Sequence, residues 1–191
     1  MVDSLSVAPA VLSHAERQQQ EYALMQSENK MSNWQEIVEH FLRMSDPDDE
    51  YDRYAPSGAS TETLAILEVE LGCVLPSELR EFYSHYDGLG LVPRDGSTEP
   101  LFVRPTHEVA GFIRECRLSF SETHPMYAQR YFPCVDWNNG DTSGFMKDAD
   151  GKFLGGVYSF SHEDYLYDAE QDIDGFLFLQ AESLAAFLNP D

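Results

Sequence analysis

The residues best able to do chemistry lie in Asp136-Trp137-Asn138-Asn139-Gly140-Asp141, where oxygen-bearing side chains alternate ahead of a glycine as in the start of a calcium loop. Such a loop needs a bidentate glutamate at its twelfth position, and Lys147 stands there instead. The flanking residues read as strands, so the segment is expected to be a strand-to-strand turn. Asp148-x-Asp150-Gly151 is a shorter piece of the same kind, and Lys152 would set a cation against any metal; turn chemistry accounts for it. The six histidines are scattered, and His162-Glu163 has no second histidine at the spacing a metalloprotease requires. No G-x-S-x-G elbow marks a nucleophile, and Gly155-Gly156 lacks the Lys-Ser/Thr that holds phosphates. A hydrolase built on paired carboxylates would need a pocket that drives their pKa values apart, and no spacing here calls for one. The reading is therefore of a non-enzyme without cofactor or metal.

The charge pattern is more telling. After Lys152 the chain contains no Lys or Arg, whereas Glu163, Asp164, Asp168, Glu170, Asp172, Asp174 and Glu182 follow. Six of these lie between His162 and Asp174, interleaved with Tyr165, Leu166 and Tyr167. Aromatic residues within an acidic rim suit a protein interface, since the rings supply buried area and the charges steer the partner. The net charge of −22 repels nucleic acid and anionic lipid and attracts basic partners. No stretch approaches the roughly 20 apolar residues of a membrane-spanning helix, and the N-terminus has no signal-peptide pattern, so a cytoplasmic location is expected. Cys73, Cys116 and Cys134 are odd in number and widely spaced, which fits buried thiols rather than a disulfide framework or zinc site.

These residues need elements to position them. With 42% hydrophobic residues, 12 Phe and 10 Tyr, the 191-residue chain has material for one core. Residues 1–30 are expected to form a mobile or loosely packed arm, and residues 31–191 the domain. Ser32 with Gln35 reads as a capping box for a helix carrying Trp34, Ile37, Val38 and Phe41, and the acidic run Asp46–Glu50 ends it. Leu64, Leu67 and Leu71 form one apolar stripe; Leu79, Phe82, Tyr83 and Tyr86 form another. Between them Gly72 suits a helix C-cap and Pro76 a first helical turn, and Asp87-Gly88 closes the second helix. Beyond Gly90, short runs bounded by turn residues read as strands at Leu101–Val103, Phe132–Trp137, Ser143–Met146, Gly156–Phe160 and Phe176–Leu179, with a helix near Val109–Cys116 between them. A hairpin turn at Asp148–Gly151 makes the sheet antiparallel. The expected class is α+β: a single domain with N-terminal helices packed on a mainly antiparallel sheet and a short C-terminal helix.

The helix ending in Leu-Gly, followed by Leu-Pro, an aromatic helix and an Asp-Gly stop, resembles the SUKH superfamily. The resemblance extends to the helix opening at Trp34, the Gly140-Asp141 pair, Gly156-Val157-Tyr158 and a last helix around Leu184 and Phe187, and so covers residues 31–189. It implies an immunity protein that binds and neutralises a cognate toxin, often a nuclease, and it brings no catalytic residues. Together with the acidic surface it suggests polyanion mimicry. Asp136, Asp141, Glu163, Asp164, Asp168 and Asp172 would pair with basic residues of the toxin's cleft, and Trp137, Tyr165 and Tyr167 would supply buried area. The alternative is a regulatory scaffold that uses the same domain to bind several proteins.

Overall fold

The computed structural model describes residues 33–95 and 101–190; the arm expected over residues 1–30 and the capping serine Ser32 lie outside the described residues. The elements run α1 (Trp34–Ser45), β1 (Tyr51–Tyr54), α2 (Thr61–Leu71), α3 (Ser77–His85), β2 (Gly90–Pro93), α4 (Thr106–Leu118), α5 (Pro125–Arg130), β3 (Tyr131–Asp136), β4 (Thr142–Met146), β5 (Val157–Phe160), a 3-10 turn (Ile173–Gly175), β6 (Leu177–Ala181) and α6 (Leu184–Leu188). The class is α+β, with strands β3-β4-β5-β6 forming an antiparallel meander and β1-β2 a separate antiparallel pair.

The helical corner forms as its residue types dictate. Ser60 Oγ accepts from the Thr63 N–H at the start of α2, and Gly72 ends that helix in the left-handed region at φ 64°. Glu68 then braces the corner, its Oε1 accepting from the Leu75 N–H at 3.1 Å and from Arg80 Nε at 3.2 Å. Helix α3 buries Leu79, Phe82 and Tyr83 as its spacing predicts, while Tyr86 is half-buried. Asp87 does more than stop α3: its carboxylate receives the Thr106 N–H at 2.7 Å and so caps α4. Glu78 does the same for the last helix, accepting from the Leu184 N–H at 2.8 Å.

Strand alternation sends side chains to opposite faces, and in β3, β4 and β5 both faces are largely buried, whereas edge strand β6 is mostly exposed. On one, Phe132, Phe145 and Val157 join Trp34, Val38, Leu64, Leu79, Phe82, Leu184 and Leu188 in the larger core. On the other, Tyr131, Met146 and Phe160 join Phe120, Tyr165, Phe176 and Leu177. The acidic loop over residues 161–174 lies on this second face, and that placement decides the role of Tyr165.

Three expectations change. Leu101–Val103 is no strand; Val103 alone makes bridges, to Leu89 and Val135. Phe102, Arg104 and their neighbours instead bind the outer edge of β3, through the Arg104 N–H to Cys134 O and the Asp136 N–H to Phe102 O. The β1-β2 pair and the short helix α5 were not anticipated. Buried Asp46 sets up β1 by accepting from the Glu50 and Tyr51 N–H groups at 2.9 and 3.1 Å.

Candidate functional site

The end of β3 delivers Asp136 and Trp137, and the turn that follows folds upon itself. Asn138 adopts φ 59° and donates its N–H to Asp136 Oδ1 at 2.8 Å. Asn139 accepts from the Asp141 N–H at 2.9 Å and donates its side-chain amide to Asp141 Oδ2 at 3.0 Å. The other Asp136 oxygen pairs closely with Arg104, whose guanidinium also meets Glu108 at 3.1 Å and lies over the Phe112 ring. The oxygens that suggested a calcium loop are thus directed at protein donors. Among the described residues no three His, Cys, Asp or Glu side chains are grouped as metal ligands, and Lys147 sits over the Phe153 ring, 4.8 Å from its centre.

One carboxylate joins this turn to the acidic loop. Asp141 Oδ1 accepts the His162 N–H and lies 2.8 Å from His162 Nδ1 as well. Burial pushes the Asp141 carboxyl up, but the His162 backbone, its imidazole and Asn139 outweigh that and hold it below the usual carboxylate value. Gly140, at φ 101°, lies beneath the imidazole, where a Cβ would come 2.9 Å from His162 Cγ.

The loop is braced along its length. Gln171 spans it, donating its side-chain amide to Asp164 O at 2.6 Å and accepting the Leu166 N–H at 2.8 Å. Asp164 Oδ2 accepts from Ser161 Oγ at 2.7 Å, Asp168 from the Glu170 N–H at 2.9 Å, and Asp172 from the Asp174 N–H at 3.4 Å. His124 holds the loop from below through Gln171 O at 2.9 Å and Thr123 Oγ1 at 2.9 Å, and Thr123 meets the Tyr165 hydroxyl at 2.6 Å.

The residues expected to form a surface therefore divide. Glu163, Asp164, Tyr167, Asp168 and Asp172 are exposed, Trp137 is 45% exposed, and Asp136 and Asp141 are half-buried in the pairings above. Tyr165 is a correction: at 5% exposure it belongs to the second core, packed against Phe120, Phe160 and Phe176, so it cannot serve as a surface anchor. Tyr167 takes the exposed place. It is 76% exposed, holds φ 56°, and rests its ring 4.4 Å from that of Tyr165. A bulky residue in the left-handed region is strained, and strain of this kind gathers at functional positions. His162 and Gln171, which fasten the face, were not singled out from sequence. Neither belongs to a motif, and their roles depend on partners 21 residues away in one case and five to seven in the other.

Of the thiols expected to be buried, Cys134 is, whereas Cys73 and Cys116 are half-buried. All three cysteines are free, and burial pushes Cys116 up to about 12 and Cys134 higher still.

The molecule is thus an α+β domain carrying an acidic loop whose carboxylates accept from the loop's own donors. The chain belongs to the SMI1 / KNR4 family (SUKH-1), whose family model matches residues 58–189. The match begins after α1 and β1, later than the resemblance at residue 31 suggested. This family is generally one of non-enzymatic immunity and regulatory proteins that act by binding other proteins. A search among curated proteins found no match. Among the described residues no helix is long and apolar enough to cross a membrane.

Proposed function

We propose that this protein is a cytoplasmic immunity protein that binds and neutralises a cognate toxin of nuclease type through the face built by the Asp136–Asp141 turn and the 161–174 loop. The observation that carries this reading is the bracing of the loop: Gln171, His124 and the Asp141–His162 contact fasten the backbone that carries Glu163, Asp164, Asp168, Asp172 and exposed Tyr167. Carboxylates on a braced loop can occupy a cleft evolved for phosphates with less ordering entropy to lose at the moment of binding. The protein blocks the cleft and catalyses nothing.

The reading is tested by capturing partners on the immobilised protein from its source cell. A single basic partner that is toxic when expressed alone, and harmless when co-expressed with this chain, is expected. Several partners, none of them toxic, would favour the regulatory scaffold instead. With the partner in hand, Asp164, Asp168 and Asp172 changed together to Lys should slow association at least about tenfold at low salt and flatten its salt dependence. The triple Asn variant retains side-chain oxygens for the turns and separates charge from loop structure. An unchanged association rate in both variants would place the interface elsewhere.

A further inference from the structure

Beside this face lies a cavity of about 350 Å³, bounded by Phe41, Tyr51, Phe102, Trp137, Asp136 and Ser45 among others. Its size falls at the lower end of the range for ligand pockets, roughly 300–1,000 Å³. Its lining has a distinct character. Phe102 stacks on Phe41 with ring centres 4.8 Å apart, and Trp137 meets Phe102 edge-on at 4.9 Å. Trp137 is fixed by its Nε1–H, which donates to Ser143 Oγ at 2.8 Å. No Lys or Arg is among the described residues lining the cavity. Ser45 is the last residue of α1, so the negative end of a 12-residue helix dipole lies at the wall. Asp136 adds a carboxylate whose Oδ1 accepts the Asn138 N–H and whose Oδ2 pairs closely with Arg104, a guanidinium it shares with Glu108, so that one cation faces two carboxylates.

Aromatic faces, a helix C-terminus and two carboxylates sharing one guanidinium each favour a cation, and a planar one can stack on rings while an N–H reaches a remaining carboxylate lone pair. We propose that this cavity is the socket for an arginine side chain of the protein partner, inserted beside Trp137 with its guanidinium toward Asp136. The proposal deepens the reading of the chain as the binder of a basic protein, but its test needs no partner.

The probe is N-acetyl-arginine amide, titrated into the isotope-labelled full chain while the Trp137 indole and the Gly90 and Leu91 amides are followed by NMR. The chain has two tryptophans, and Trp34 is buried, so the exposed indole is an independent reporter. Saturable shifts at these three positions are expected. The uncharged citrulline analogue and the apolar norleucine analogue should bind about tenfold more weakly. Trp137→Ala should abolish the response, and Asp136→Asn should weaken it. Should either variant fail to fold, the comparison of probes on the unmodified chain still decides. Equal binding of citrulline, stronger binding of norleucine, shifts confined to the 161–174 loop, or no shift at all would each overturn the socket. Such a result leaves the captured partner as a separate question; failure to find a toxic partner, conversely, leaves the titration intact.

Discussion

Asp141 secures two segments with one carboxylate, and its protonation should be felt in stability. Its folded pKa lies below the ordinary value, so its stabilising contribution is present above that value and is lost as pH falls through the folded pKa. Asp141→Asn should therefore cost about 1–2 kcal/mol near neutral pH, and the gap to the parent protein should close in acid below the ordinary carboxylate value of 3.8. Thermal melts of both proteins across that range check this; a constant gap would mean that the contact is structural in some uncharged way. Gly140→Ala should destabilise by roughly 1–3 kcal/mol, since it combines a φ of 101° with a Cβ 2.9 Å from His162 Cγ. Chemical denaturation measures it, and a neutral result would show that the imidazole swings aside. At this scale the sequence was only partly legible. Trp137 could be read as exposed because polar turn residues follow it. Tyr165 and Tyr167 stand two apart in the same acidic run, and only the Thr123 hydroxyl and the ring cluster beneath distinguish the buried one from the exposed one.

Elements whose signal is local were readable, and elements whose signal is distant were not. The α2–α3 corner could be written down in advance because helical periodicity, Gly72 and Pro76 all act within a few residues. Strands β1 and β2 pair Tyr51 with Pro93 and Tyr54 with Gly90, across some 40 residues and without an apolar alternation, so nothing local announces them. Helix α5 has six residues, too few for a period to show. The corner also contains a contact that periodicity misses. Glu68 is expected to be worth about 1–2 kcal/mol through its bond to the Leu75 N–H, so Glu68→Ala should destabilise by that amount. Glu68→Gln keeps an acceptor for that N–H and should recover most of the loss. If Gln is as damaging as Ala, the ion pair with Arg80 matters more than the cap.

For the molecule as a whole, charge is the dominant quantity. A net −22 on 191 residues means that like charges repel across the folded surface, a cost that dissolved salt screens with a Debye length of about 10 Å at 0.1 M. The midpoint of thermal unfolding should therefore rise when sodium chloride is added from a low starting concentration. A midpoint insensitive to salt would mean that the repulsion is already balanced by the sparse cations, such as Arg94 between Asp49 and Asp52. Fold class, the order of the longer helices and the acidic run were available from composition and periodicity; the double-sided burial of β3, β4 and β5 was not, because it depends on where a loop lies after the chain has closed. That closure has a consequence in time. Trp34 and Val38 share the larger core with Leu184 and Leu188, about 150 residues later, so its wall is incomplete until the last helix has been made. At a synthesis rate of about 5–20 residues per second, that interval lasts on the order of ten seconds or more. During it Trp34 and Val38 wait without the partners that Leu184 and Leu188 will supply, and the larger core closes only once Leu188 has left the ribosome.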